Sequence, residues 1–372
     1  MTIERRDFLK KASAGAGMAA LGACGAGEAS VSNSQAVVSG PRVEWRLASS
    51  YPPITDILYG VAERIGENLS ALTGGNFTLR VYAPGEIVPA LQVMDAVMQG
   101  TTHCGLSPGY YYMGKNPALA FDTCLPFGLD SRGQIAWLLH GGGLELVNSV
   151  FADFGVIGFP AACTGAQMGG WFREPIGSLA EFAGLRMRIP GIGGEIMARL
   201  GATVQVLGAA EIYPALERGA IDATEWVGPH DDEKLGFHQV AKHYYYPGWW
   251  EPGSTATLMV NRAAYDELPP EYQDLLRTVT REAMMYSLAA YDAANPIALR
   301  RLVGEEGVTL HEFPTDLMEA AWTESNAYAE EQAAADAQFR EVYESWRAFR
   351  ELSFNWFDGN EGAYARFAFN KV

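Results

Sequence analysis

The chain has 372 residues, 48% hydrophobic and 19% charged, with a net charge of −17 and a pI of about 4.8. That length implies two lobes of roughly 100–200 residues each rather than one core. The acidity excludes a nucleic-acid binder, which needs a basic surface, and requires that any site for a small anion gather its positive charge locally.

Residues 1–23 read as an export address rather than as part of the fold. Arg5-Arg6-Asp7-Phe8-Leu9-Lys10 resembles a twin-arginine signal, although Glu4 stands where Ser or Thr is usual. The apolar stretch from Ala12 to Ala23, at about 1.5 Å per residue, is too short to span roughly 30 Å of hydrocarbon. It ends in Leu21-Gly22-Ala23-Cys24, which resembles a lipobox, so that cleavage would leave Cys24 as a lipid anchor. Residues 24–42 are rich in Gly, Ser, Ala and Val and read as a flexible tether. No later segment has 18 uninterrupted apolar residues. Cys104, Cys124 and Cys163 cannot all pair within one chain and have no zinc spacing; one disulfide stays open, and buried small side chains are the simpler reading.

From residue 43 the pattern alternates short β-rich and helical runs. Strands are expected at 43–49, 77–82 and 104–106, with helices at 56–72 and 89–99 between them. Helices follow near 132–139 and 144–151. Five strands are then expected, at 155–159, 167–171, 185–189, 203–206 and 223–227, with helices at 194–200 and 209–218. A further strand is read at 255–260, and beyond Pro270 the chain reads as helical, interrupted at 308–313. This order implies α/β lobes with mostly parallel sheets. Leu317–Leu352 reads as one long helix with no breaker before the 354–360 region. Phe339, Tyr343, Trp346 and Phe349 form a stripe on it, which could pack on its own lobe, brace both lobes or join a second subunit.

Three motifs lead nowhere. Gly105-Leu106-Ser107-Pro108-Gly109 has the spacing of a nucleophile elbow, but Pro108 lacks the N–H that an oxyanion hole needs. Gly191-Ile192-Gly193-Gly194-Glu195-Ile196 lacks the third glycine of a dinucleotide loop. His230-Asp231-Asp232-Glu233, with His238 and His243, reads as a solvated acidic helix start rather than a transition-metal site.

Three other segments carry chemistry. In Leu185-Arg186-Met187-Arg188-Ile189-Pro190-Gly191 two arginines share one face of a strand, and an arginine at a strand end can present a rigid fork to a carboxylate. Glu225-Trp226 and Trp250-Glu251 each set Trp beside Glu next to Pro and Gly. Two glutamates converging on one point repel unless a hard cation sits between them, and such cations favour carboxylate and carbonyl oxygens.

The order of these segments resembles the substrate-binding subunit of TRAP (tripartite ATP-independent periplasmic) transporters. The resemblance runs through Arg46-Leu47-Ala48-Ser49-Ser50-Tyr51, Tyr110-Tyr111-Tyr112-Met113-Gly114-Lys115, Leu125-Pro126-Phe127-Gly128 and Met187-Arg188-Ile189-Pro190-Gly191, and then through 211–223. Gln167, Glu225-Trp226 and Trp250-Glu251-Pro252-Gly253 are similar to the branch that binds 2-oxo or 2-hydroxy monocarboxylates with a metal ion. The resemblance implies a periplasmic two-lobe fold with a hinge and discontinuous lobes: 43–165 with 254–295, and 166–253 with 296–316. Residues 317–372 would form a homodimer. Arg188 would grip the ligand carboxylate and Gln167 would contact ligand and metal region. Glu225, the Trp226 carbonyl and Glu251 would hold Na⁺ or Ca²⁺, with Trp226 and Glu251 also facing the ligand. The implied function is a receptor for a small, pyruvate-like 2-oxo acid, which it hands to the transporter's membrane subunits. A 2-hydroxy acid such as lactate, or another carboxylate, is the alternative. A metal-dependent keto-acid enzyme would need a general base near the ligand, and no His falls in this constellation.

Overall fold

The computed structural model describes residues 38–371; the signal, Cys24 and most of the tether lie outside the described residues. The last residues read as tether are docked. The Val38 amide donates to the Leu72 carbonyl at 2.8 Å, and the Tyr272 hydroxyl donates to the Pro41 carbonyl at 3.1 Å.

The first strand, β1 (Val43–Ser49), leads into α1 (Asp56–Leu72), which buries Ile57, Leu58, Val61, Ala62, Ile65 and Leu69 at helical spacing. Then follow β2 (Phe77–Tyr82), α2 (Val93–Met98) and β3 (Cys104–Ser107). Helices α3 (Ser131–His140) and α4 (Gly143–Ala152) lead to β4 (Val156–Cys163). The next stretch holds β5 (Gly170–Phe172), β6 (Arg186–Arg188), α5 (Gly191–Arg199), β7 (Thr203–Gln205), α6 (Ala209–Glu217), β8 (Ala223–Thr224), α7 (Pro229–Leu235) and β9 (His243–Tyr246). The chain continues through β10 (Thr255–Asn261), α8 (Arg262–Asp266), α9 (Pro270–Gly304) and β11 (Thr309–Glu312). It ends in α10 (Thr315–Ala335), α11 (Ala337–Phe357) and α12 (Ala363–Ala368).

The strands form two sheets, ordered β2-β1-β3-β10-β4 and β11-β9-β5-β8-β6-β7. Both are mixed rather than mostly parallel. In the first, β10 returns antiparallel between β3 and β4 after the chain has built most of the second. In the second, β5 runs antiparallel to both β8 and β9. The architecture is therefore a two-lobe α/β fold whose sheets each draw on separated stretches of chain.

The expected strands at 167–171, 185–189 and 223–227 are shorter than their apolar patterns suggest. Gly170 sits at φ 93°, where a Cβ would stand 2.5 Å from the Thr224 carbonyl oxygen, so only β5 itself joins the ladder. Residues 164–169 and 225–228 are left as loops. The aromatic strand β9 was not anticipated.

The long C-terminal helix is two helices. Asp336 leaves the helical region at φ −130° and ψ 126°, and its carboxylate caps α11 by accepting from the Phe339 amide at 2.6 Å. The 354–360 region does not end the helix, which passes through a π-helical turn at Asp358–Gly362 into α12. The aromatic stripe serves its own chain: Phe339, Tyr343 and Trp346 pack on Phe121 with ring centroids 5.0–6.5 Å apart. Helix α10 packs on α5 of the second-sheet layer, and α11 packs on α3 and α4 of the first, so the pair brackets both layers.

An N-cap aspartate contributes about 1 kcal/mol. Asp336→Ala should lower the urea midpoint by a corresponding amount while leaving the far-ultraviolet spectrum unchanged. An unchanged midpoint would show that the break at Asp336 is held by packing alone.

Candidate functional site

The shortening of β5, β6 and β8 releases three functional segments at one edge of the second sheet. Gln167 lies on the loop before β5, Arg188 is the last residue of β6, and Glu225-Trp226 follow β8. The first-sheet side supplies Tyr51, Tyr110, Tyr111, Thr164 and Ser254–Ala256. Together they line a tight cleft, with a cavity of only about 20 Å³, between the two sheet layers.

Arg188 is 1% exposed. Its Nε donates to the Leu207 carbonyl at 3.1 Å, its Nη1 to the Glu225 carbonyl at 3.1 Å and to the Glu225 carboxylate, and its Nη2 to the Tyr111 hydroxyl at 3.3 Å. The guanidinium lies 5.2 Å from the Trp226 ring centroid. Burial opposes its charge, but Glu225 and the two tyrosines hold the pKa above the ordinary arginine value.

Glu225 and Glu251 are both buried. Burial pushes the Glu225 pKa well up; Arg188 opposes this, and Glu251 and Asp232 add to it. Burial also raises Glu251, against the Ser254 hydroxyl, Arg188, Tyr110 and Gln167. Ser254 Oγ donates to Glu251 Oε2 at 2.5 Å. Gln167 Nε2 donates to Thr164 Oγ1 at 3.0 Å, but Gln167 Oε1 is buried without a partner among the described residues. Two coupled carboxylates, a bare amide oxygen and one guanidinium form a hard-oxygen set with an anion anchor beside it. That donor chemistry fits a hard cation.

All five site residues expected from the sequence therefore come together: Gln167, Arg188, Glu225, Trp226 and Glu251. Arg186, on the same strand as Arg188, does not join them; it is exposed and pairs with Asp222 at 2.5 Å. The tyrosines went unassigned, although the Tyr110-Tyr111-Tyr112 run was a visible signal. They are presented by a turn whose Gly109 amide donates to the buried Asp122 carboxylate at 3.1 Å. A Cβ at Gly109 would sit 2.4 Å from the Leu119 carbonyl oxygen.

The acidic start of α7 is not solvated. Asp231 and Asp232 are 0% and 1% exposed. Asp232 accepts from Trp171 Nε1 at 2.9 Å and the Tyr244 hydroxyl at 2.6 Å. Asp231 accepts from the Tyr291 hydroxyl at 2.8 Å and Trp226 Nε1 at 3.4 Å, so both acids moor the ring and backbone around the pocket wall. Asp56, His230 and Asp231 come close enough to share an ion, but the Lys234 ammonium stands 2.5 Å from Asp56 Oδ1 and supplies the positive charge there. Ser107 of the elbow-like motif is buried, with its hydroxyl bonded to Ser50 and Tyr112 and not to a base. The three described cysteines are free and buried.

A family profile described as bacterial extracellular solute-binding protein, family 7 (DctP), matches residues 48–336. The chain is 48% identical over 367 residues to the Monocarboxylate 2-oxoacid-binding periplasmic protein of Nostoc sp. strain PCC 7120, covering 98% of this chain and 99% of that protein. Two solved structures are similar. One is a TRAP transporter solute binding protein from Bordetella bronchiseptica RB50, a mixed-occupancy dimer with copurified calcium and picolinate in one active site and the other apo. It shows 42% identity and a TM-score of 0.88, over 90% of this chain and 99% of that one. The other is a TRAP periplasmic solute binding protein from Pseudoalteromonas atlantica T6c with bound sodium and pyruvate, at 34% identity and a TM-score of 0.85, over 88% and 99%.

Burial raises the Asp231 carboxyl from 3.8 to about 7. The folded state then holds a proton that the unfolded chain has released. The resulting stability is fully present below pH 3.8 and is lost as the pH rises through about 7. The ligand-free protein should accordingly lose stability across that window, and Asp231→Asn should flatten the slope. Urea midpoints measured from pH 4 to pH 8 test this, and equal slopes for the two proteins would rule it out.

Proposed function

Because the chain belongs to the family 7 extracellular solute-binding proteins, the periplasmic receptors of TRAP transporters, we propose that its pocket captures a small, pyruvate-like 2-oxo monocarboxylate together with Na⁺ or Ca²⁺. The protein delivers this ligand to the membrane subunits and does not transform it. The observation that carries the reading is the buried Arg188 guanidinium facing two coupled glutamates and the unpaired Gln167 oxygen. The ligands named for the Nostoc, Bordetella and Pseudoalteromonas proteins support the same class.

In this reading Arg188 holds the ligand carboxylate with its planar fork. Gln167 turns its free Oε1 toward ligand and cation. Glu225, the Trp226 carbonyl and Glu251 hold the cation, which offsets the two carboxylates and attracts the ligand's oxygens. With its charge shared in this way, Glu225 binds Arg188 less tightly, and the guanidinium becomes available to an incoming carboxylate. Trp226 and Tyr51, whose ring centroids are 6.4 Å apart, form the apolar wall. Among the described residues no imidazole lines the pocket, and a general base of that kind is what turnover of a keto acid would call for. The lobes run over 43–165 with 254–295 and over 166–253 with 296–316. Export by the twin-arginine route and anchoring at Cys24 belong to the same proposal.

The 317–372 region is the proposed dimer surface. Its buried aromatic stripe is committed to its own chain, so the contact falls to the exposed Leu352, Trp356, Tyr364, Phe367 and Phe369. Truncation before Leu317 would remove core residues and report only on folding, so point substitutions are the cleaner probe. The full chain should sediment as a dimer at micromolar concentration, and Trp356→Glu with Phe367→Glu should sediment as a 40.4 kDa monomer. A native chain that is already monomeric overturns this assignment.

Calorimetry tests the ligand. Pyruvate affinity should fall at least about tenfold, or about 1.4 kcal/mol, after exhaustive chelation in sodium-free buffer, and return with Na⁺ or Ca²⁺. Arg188→Lys should weaken binding strongly and Arg188→Ala more so. Glu251→Gln should weaken cation and ligand binding together, as linkage requires. Equal affinity with and without cation, or near-native binding by Arg188→Ala, would remove the basis for this reading.

A further inference from the structure

One group of polar contacts crosses between the two sheet layers at the rim of the pocket. Asp56 opens α1, between β1 and β2 of the first sheet. His230 and Lys234 lie one turn apart on α7, between β8 and β9 of the second. Asp56 Oδ1 is 2.9 Å from His230 Nε2 and 2.5 Å from Lys234 Nζ. Burial alone would raise the Asp56 carboxyl, but Lys234 and His230 outweigh it and hold the group below its ordinary value.

The same helical turn reaches the pocket. Between these two residues, Asp231 accepts from Trp226 Nε1, and Trp226 is a pocket wall. Tyr291 and Asn295 of α9 bond to Asp231 and to the His230 amide, at 2.8 and 3.0 Å. The α7 turn therefore meets the proposed first lobe twice, at α9 through Tyr291 and Asn295 and at α1 through Asp56, and it holds the Trp226 pocket wall.

We propose that Asp56, against His230 and Lys234, is a clasp that holds the lobes together over the bound ligand and sets how fast it leaves. This rests on the reading that a ligand binds between the lobes. Asp56 lines no part of the pocket and is a positioning residue, acting through α7. The contact exists only when the lobes meet, so losing it speeds release. Half-exposed ion pairs are modest and screened by salt, which gives the clasp a signature that a purely structural residue lacks.

The test is stopped-flow tryptophan fluorescence of the full chain with pyruvate, at saturating Ca²⁺. Asp56→Asn should speed release about two- to fivefold, the factor expected for a pair of this kind. Lys234→Gln should do the same, and the double variant should be no faster than the faster single one. Raising potassium chloride should speed release from the native protein and have little further effect on Asp56→Asn. Native release rates in Asp56→Asn, or equal salt sensitivity in the two proteins, overturn the clasp. Small-angle scattering of the ligand-free proteins is the second measurement: Asp56→Asn should show a larger radius of gyration, and identical curves overturn the clasp. If the native protein binds neither pyruvate nor any other 2-oxo acid, the reading of the pocket fails, and scattering still decides the clasp.

Discussion

A buried guanidinium governs this site. An unpaired ion of that size costs several kcal/mol in a protein interior, and Arg188 cannot shed its proton to escape the cost. Every element around it supplies an acceptor: the carbonyls of Leu207 and Glu225, the Glu225 carboxylate and the Tyr111 hydroxyl. Its backbone is held between β7 and β8, so the side chain projects from the strand end with little freedom. The short strands follow from the same requirement. Glu225 can reach Arg188 because β8 stops at Thr224, and Gln167 can turn inward because the ladder begins at Gly170.

The second constraint is the excess of negative charge. Glu225 and Glu251 face one guanidinium, with Asp231 and Asp232 buried just behind the Trp226 wall. Burial raises the pKa of both aspartates while their hydroxyl and indole donors pull it back down, and they moor aromatic side chains. Glu251 accepts from Ser254, and Arg188, Tyr110 and Gln167 also favour its charged form, but burial outweighs them and raises its pKa. On the proposed assignment, this is the place in an acidic body where a cation and an anion would stabilise each other.

The strands and helix with clean periodicity were legible residue by residue: 43–49, 56–72 and 77–82 match β1, α1 and β2. Each has its alternation or its 3.6-residue repeat intact because it serves only the core. The second sheet was read less well, since its apolar runs continue past the strand ends into pocket walls. Trp226 and Val227 are buried like strand residues but lie on a loop. The misreading of Asp231 and Asp232 has the same origin, because composition cannot tell a solvated acidic turn from one that meets Trp171, Tyr244 and Tyr291 in the interior. The break at Asp336 was hidden by good helix formers on both sides. Only the cap geometry distinguishes an aspartate that ends one helix from one that continues it.

Selectivity in such a pocket comes more from what is left unpaired than from what is gained. A neutral molecule of the right size would fill the space between Tyr51 and Trp226 but leave Arg188 with Glu225 as its one carboxylate partner and the Gln167 oxygen bare. Apolar walls sharpen this penalty, since excluding water removes the solvent that would otherwise satisfy those groups. A dianion would bring a charge for which the pocket holds no second buried guanidinium among the described residues, as the other arginine of the strand, Arg186, pairs with Asp222 at the surface. On the proposed assignment, the fate of these two arginines, two residues apart, would do much to define the ligand: one positive charge inside would accept one carboxylate, and the glutamates with a cation would read the oxygen next to it.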